Sequence, residues 1–241
     1  MKTALCFFGQ PRDVIGCYNN IVKNIIMPNS IEDIFIHVWW RPEFEMIGYS
    51  VNTDNSGRRS YMTRSFLNFI NDNYKPKKIL IGNDLEVKFH SSNDISKDCN
   101  ISASLDRLFP MFYSRQTSCY LKNEYKKETG INYDAVIIIR FDDYIKREIK
   151  LENFDLSVIN VPVLWSRNLV DINYVSDIIT FGNEKNIDIY CDIYSNIPKI
   201  SFQITDRFIS ERIIGEWFKM NKINFLESIK YPEDIVMYRD K

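Results

Sequence analysis

Apolar residues in this chain cluster into runs of two different periods. Residues 3–8, 33–40, 78–81 and 135–139 are almost uninterruptedly apolar, and several are rich in β-branched or aromatic side chains. Runs of about four to eight such residues read as strands buried on both faces, the usual state of a strand inside a parallel sheet. Between them the spacing turns helical. After a break at Gly9-Gln10-Pro11-Arg12, Asp13 is placed as an N-cap, and Val14, Cys17, Tyr18, Ile21 and Ile25 fall on one face. A Pro-Asn-Ser turn at 28–30 ends that helix. Residues 61–71 read as a second helix. A third runs from its cap at Ser104 towards Thr129, broken or bent at Pro110 and stopped by Gly130 in the C′ position.

Further along, 158–164 and 176–181 read as strands, and 183–195 and 206–221 as helices. In the last of these Ile209, Ile213 and Trp217 form the inward stripe, with Arg212 and Glu216 turned to solvent. Residues 41–60 and 91–103 are polar and read as loops. Strand–helix alternation predicts one α/β domain over residues 1–241, a Rossmann-like, mostly parallel central sheet flanked by helices, with an irregular C-terminal third.

Composition sharpens this only in part. The chain has 45% hydrophobic residues and a formal net charge of -1, so a large core can form and no charge imbalance points to nucleic acid. Cys6, Cys17, Cys99, Cys119 and Cys191 are odd in number and widely spaced, and His37 and His90 lie far apart. Neither a disulfide framework nor a zinc site is expected, and a reducing, cytoplasmic setting follows. The N-terminal apolar run is too short for a signal peptide or a membrane span, though peripheral membrane contact is compatible with the sequence.

The chemistry concentrates where Ala135-Val136-Ile137-Ile138-Ile139 runs into Arg140-Phe141-Asp142-Asp143. In open α/β sheets ligands bind beyond the carboxyl ends of the strands. If the strand stops at Phe141, a turn frees Asp142 and Asp143 to face such a cleft, where they suit a hard divalent cation and a phosphate-bearing ligand; the alternative is a pair of solvated turn acids. Arg140 either pairs with Asp142 or reaches a phosphate. The Gly9 loop lets backbone approach a ligand and offers Arg12, but it matches neither a dinucleotide fingerprint nor a P-loop. His37 closes the second strand and reaches either the cleft or the core. Tyr113-Ser114-Arg115, placed at a helix head, offers a hydroxyl and a cation.

In order and spacing, Phe-Phe-Gly-Gln-Pro-Arg, Asp-Ile-Phe-Ile-His-Val-Trp, Met-Phe-Tyr-Ser-Arg and Tyr-Asp-Ala-Val-Ile-Ile-Ile-Arg-Phe-Asp-Asp make the chain resemble small GT-A-type glycosyltransferases of capsule and lipopolysaccharide gene clusters and of large DNA viruses. The resemblance covers mainly residues 1–145, which it makes the nucleotide-binding half, and leaves 146–241 as the acceptor side. It implies a GT-A-like fold, a UDP- or GDP-linked sugar donor, a glycan acceptor and a Mn²⁺ or Mg²⁺ ion. Carried over by position, Asp142 and Asp143 take the metal. Gly9, Gln10, Arg12, His37, Arg115 and Arg140 take the nucleotide and its phosphates. Asp177, Asp206 and Glu211 are the candidates for the base an inverting transfer needs. The chain departs from the family's Asp-x-Asp pattern, since Arg140 stands where the first aspartate is expected. That departure keeps a second reading in view, a non-catalytic nucleotide-sugar-binding or scaffold protein of the same fold. A haloacid-dehalogenase-type phosphatase fits less well, because Arg140 replaces its nucleophile.

Overall fold

The computed structural model describes residues 1–46, 49–50, 59–60, 62–101, 104–163, 174–231 and 233–237, with 49–50 and 59–60 described as backbone only. In chain order the strands are β1 (Thr3–Gly9), β2 (Asp33–Trp39), the two-residue β3 (Tyr49–Ser50) and β4 (Arg59–Ser60), β5 (Lys78–Gly82), β6 (Ala135–Arg140), β7 (Asp143–Ile145), β8 (Ile159–Pro162), β9 (Thr180–Gly182), β10 (Phe225–Ile229) and β11 (Ile235–Met237). The helices are α1 (Val14–Ile21), α2 (Ser65–Tyr74), α3 (Leu105–Thr129), α4 (Glu184–Cys191), α5 (Ile193–Ser201) and α6 (Ser210–Asn221).

The expected apolar runs become the parallel heart of a seven-stranded sheet, in the order β10-β8-β9-β6-β1-β2-β5. β1, β2, β5 and β6 pair in parallel, and β9 alone runs against its neighbours β6 and β8. The first 145 residues supply β5-β2-β1-β6 and the remainder supplies β9, β8 and β10, so both halves of the chain share one sheet.

Alternation along β1 explains why the sheet is buried on both sides. Leu5 and Phe7 face the core that holds Val14, Cys17 and Ile21 of α1 and Leu67 and Ile70 of α2. Ala4, Cys6 and Phe8 face the opposite core, built with Phe112 and Cys119 of α3, Ile187 of α4, Ile197 of α5 and Ile213 of α6. Three layers follow, helices on both faces of one twisted sheet.

Several sequence expectations shift where tertiary contacts intervene. α3 continues through Pro110 to Thr129 instead of breaking there. Pro110 lies early in the helix, between Leu108, Phe109 and Phe112, which are all buried, and their packing outweighs one missing hydrogen bond. Tyr113-Ser114-Arg115 therefore sits in the body of α3, not at its head. The helix expected over 183–195 is two, α4 and α5, parted at Asp192, whose Oδ1 accepts from Gln116 Nε2 at 2.7 Å. The last helix starts at Ser210, because residues just before it pair elsewhere: Asn100 N–H donates to the Asp206 carbonyl and Phe208 N–H to the Asn100 carbonyl. Arg212 and Glu216 are buried, not solvated, since Arg212 Nη1 lies 2.7 Å from Glu216 Oε2 and each neutralises the other. The strand expected over 176–181 is limited to β9, and that over 158–164 to β8, with its last residue outside those described. Asp13 stands at the N-cap of α1, but its side chain makes no cap hydrogen bond. The irregular final third contains β10 and β11, which carry no long apolar run to announce them.

Candidate active site

The connections fix one special place on the sheet. From β1 the chain passes through α1 to β2 on one side, and after β5 it returns through α3 to β6 on the other. Where successive strands step away in opposite directions, the loops at the carboxyl ends of the two central strands part and leave a crevice. Here those loops are Gly9-Gln10-Pro11-Arg12 after β1 and Phe141-Asp142 after β6.

Register places the chemistry in one row. Phe8 pairs with His37 on one side and with Arg140 on the other, and in a parallel sheet partners point the same way. All three therefore project towards α3. Arg140 grips Asp142 with two parallel hydrogen bonds, Nε to Oδ1 at 2.8 Å and Nη2 to Oδ2 at 2.7 Å, the strong bidentate geometry. Its backbone N–H donates to Asp143 Oδ2 at 3.0 Å. Burial opposes the guanidinium's charge, and the Asp142 carboxylate more than restores it, so Arg140 stays charged throughout. Asp143 is fully buried, and its Oδ1 has no hydrogen-bond partner among the described residues. Burial pushes its carboxyl up to about 7; Arg140 pulls it back and Asp142 pushes it further.

Two acids from distant sequence join this cluster. The Asp177 carboxylate acts on Arg140, Asp143 and Glu211 alike. Glu211 stands in the first turn of α6, and its backbone carbonyl accepts from Val175 N–H at 3.0 Å, which ties the Asp177 segment to the helix start. Burial, and then the nearby Asp177 charge, raise the Glu211 carboxyl above its usual range. Asp13 also belongs here: burial and then Asp142 raise its carboxyl. Sequence pattern marks Asp13 only as a cap; its place in the loop after β1 is the signal that it borders the crevice. Asp206 does not join. Its carboxylate accepts from Arg212 Nε at 3.0 Å and Tyr174 Oη at 3.1 Å, both part of the fastening between α6 and the loop before it.

The remaining candidates divide into loop and support. Gly9 has φ +100°, a left-handed conformation that disfavours any side chain, and a Cβ there would meet no atom of the described residues within 4 Å, so the backbone is open to an approaching group. Gln10 Oε1 accepts from Arg12 Nε at 2.8 Å, which holds the arginine in the loop. His37 is buried, and its Nδ1 lies 2.6 Å from Ser114 Oγ, which also accepts Gly9 N–H at 2.7 Å. Burial pushes the imidazole down to about 3, so it stays neutral. His37 thus braces the Gly9 loop through Ser114 from below. Arg115 is fully buried, with its guanidinium 4.8 Å from the ring centres of Phe8 and Tyr190 and 5.2 Å from that of Phe112. Nη2 donates to the Asp177 carbonyl at 3.0 Å, while Nε and Nη1 have no hydrogen-bond partner among the described residues. It pins the Asp177 segment against α3.

A divalent cation needs oxygen donors with room to turn towards it. Of the four carboxylate oxygens on Asp142 and Asp143, Arg140 already holds three, and only Asp143 Oδ1 is without a hydrogen bond. Among the described residues no group of three or more histidine, cysteine or acidic side chains is arranged to hold a metal ion. In this arrangement the donor set does not fit Mn²⁺ or Mg²⁺, because a guanidinium lies against both oxygens of Asp142. What the cluster offers chemically is a fixed cation beside the Gly9 loop and buried carboxyls with raised proton affinity. No protein-family model matches the chain, and no curated protein matches it.

Proposed function

We propose that this protein is a glycosyltransferase that moves a sugar from a nucleoside-diphosphate donor, UDP- or GDP-linked, to a glycan acceptor. The observation that carries the reading is the convergence, at the carboxyl ends of β1 and β6, of the open Gly9 loop, Arg140, Asp142, Asp143, Asp177 and Glu211. These groups come from segments up to about two hundred residues apart in sequence, and clustered acids with raised proton affinity are a mark of functional sites.

In this reading the donor's diphosphate lies across the Gly9 loop. Arg140 faces the oxygen that gains negative charge as the glycosidic bond breaks, and preorganised positive charge at that point lowers the barrier. The acceptor hydroxyl loses its proton to Glu211 or Asp177. The raised proton affinity of Glu211 brings it closer to the range a general base needs near neutral pH. Arg115 and Ser114 position this machinery from beneath, through the Asp177 carbonyl and the Gly9 N–H. A second reading, a nucleotide-sugar-binding protein without turnover, is favoured by one fact: Asp142 is already satisfied within the protein.

Thermal unfolding with UDP-, GDP- and CDP-sugars, each with and without Mn²⁺ or Mg²⁺, tests the proposal. A ligand that binds the native state alone stabilises it by about 2.7 kcal/mol at one hundred times its dissociation constant. The expected result is a rise in Tm with one nucleotide, abolished by Arg140→Ala, together with slow release of the free nucleoside diphosphate. Binding without release supports the second reading. No response to any nucleotide sugar would sink both.

A further inference from the structure

A second concavity, of about 440 Å³, opens between α1 and the β7 segment. Its lining is polar and basic: Asn19, Asn20, Lys23 and Asn24 from the α1 side, with Tyr144 and Lys146 from the strand side. The floor is held firmly. Asn20 exchanges two hydrogen bonds with the backbone of Ile145, both at 2.6 Å, and Asn24 Nδ2 donates to the same carbonyl at 2.7 Å. Gly16 leaves the adjoining stretch of α1 bare of side chain.

The charge at this place is uncompensated. Neither Lys23 nor Lys146 has an ion-pair partner among the described residues. Asp234, whose carbonyl accepts from Lys146 N–H at 2.7 Å, has its carboxylate engaged by Arg147 at 2.7 and 2.8 Å and by Lys230 N–H at 2.8 Å. A comparable cavity of about 430 Å³ at the end of α3 also has a lysine without an acid partner among the described residues, Lys127, but its second lysine, Lys126, is paired with Glu184 at 2.6 Å and Asp188 lines the wall. Two ammonium groups without an acid partner attract a dianion, whereas the exposed Asn19 carboxamide beside them suits a sugar hydroxyl. The volume falls in the range of small-ligand sites, and the concavity is broadly open to solvent.

We infer that the cavity between α1 and β7 binds a sugar phosphate, with Lys23 and Lys146 meeting the phosphate and Asn19 meeting the sugar ring. The lining of this cavity shares no residue with the cluster at β1 and β6, and the inference does not rest on the transferase reading.

Calorimetric titration at low ionic strength with glucose 1-phosphate, inorganic phosphate and glucose tests it. Both lysines are exposed, so Lys23→Ala/Lys146→Ala leaves the core untouched. Glucose 1-phosphate should bind more tightly than either control, and the double variant should weaken it about tenfold, as expected for losing two solvent-facing charge pairs. The inference is overturned if glucose 1-phosphate fails to bind, or if the double variant binds as before. Equal affinity for inorganic phosphate would overturn the sugar part.

Discussion

Asp143→Asn isolates the electrostatics of the crevice in one substitution. The wild-type carboxyl is displaced from 3.8 to about 7 by burial, with Arg140 opposing and Asp142 adding to the effect. Between those two values the folded protein keeps a proton that the unfolded chain has released, so stability falls as pH rises through the window and levels off above it. At ~1.36 kcal/mol per pH unit, a displacement from 3.8 to about 7 amounts to roughly 4 kcal/mol. His37 acts in the opposite sense. Its imidazole is pushed down to about 3 by burial, so stability is lost as pH falls below 6.5, where the unfolded chain takes up a proton the fold refuses. The two trends overlap and mask each other in the wild type. Subtracting the curves removes His37, because both proteins contain it. The introduced carboxamide would keep an oxygen for the Arg140 N–H and lose only the titration. Urea unfolding in EDTA from pH 4.5 to 8 should show the variant gaining roughly 3 kcal/mol on the wild type across the range. A flat difference would mean that Asp143 is ionised in the native state at neutral pH, and the account of a proton-holding crevice would be wrong.

Two further substitutions probe the frame that carries the site. Lys122 is fully buried with Glu184 Oε1 at 2.8 Å and Asp188 Oδ1 at 2.9 Å, so Lys122→Met leaves two acids facing each other in the wall between α3 and α4. The loss should be about 3 kcal/mol, the low end for breaking a buried pair because the Asp188 side chain is 35% exposed. Adding Glu184→Gln should recover part of it in chemical denaturation; no recovery would mean the cost is packing alone. Gly9→Ala should cost about 1–2 kcal/mol purely through its positive φ, since the added methyl meets nothing within 4 Å. An unchanged Tm would show that the loop after β1 adopts another conformation.

Much of the fold was legible in the sequence for a definite reason. Residues 3–8, 33–40, 78–81 and 135–139 are apolar on both faces, and only a strand with helices packed above and below can bury such a run, so the parallel core and its layering followed from periodicity. The 25-residue α3 was legible up to its Gly130 stop, but not its passage through Pro110, which depends on the partners of Leu108, Phe109 and Phe112. Local pattern failed again at Asp192 and at 206–209, where a side chain or backbone partner from another segment captured residues that spacing alone would have made helical.

The site divides in the same way. That Arg140, Asp142 and Asp143 end a buried strand is a property of the sequence, and so is their place at the ligand-binding edge of an α/β sheet. Which way they point is not. The bidentate grip of Arg140 on Asp142, the burial of Asp143, the arrival of Asp177 and Glu211, and the departure of Asp206 to Arg212 all depend on contacts across long separations. Hydrophobic periodicity is local and survives any arrangement of neighbours. The direction and charge state of a polar group are set by whatever the finished fold brings within a few ångströms of it.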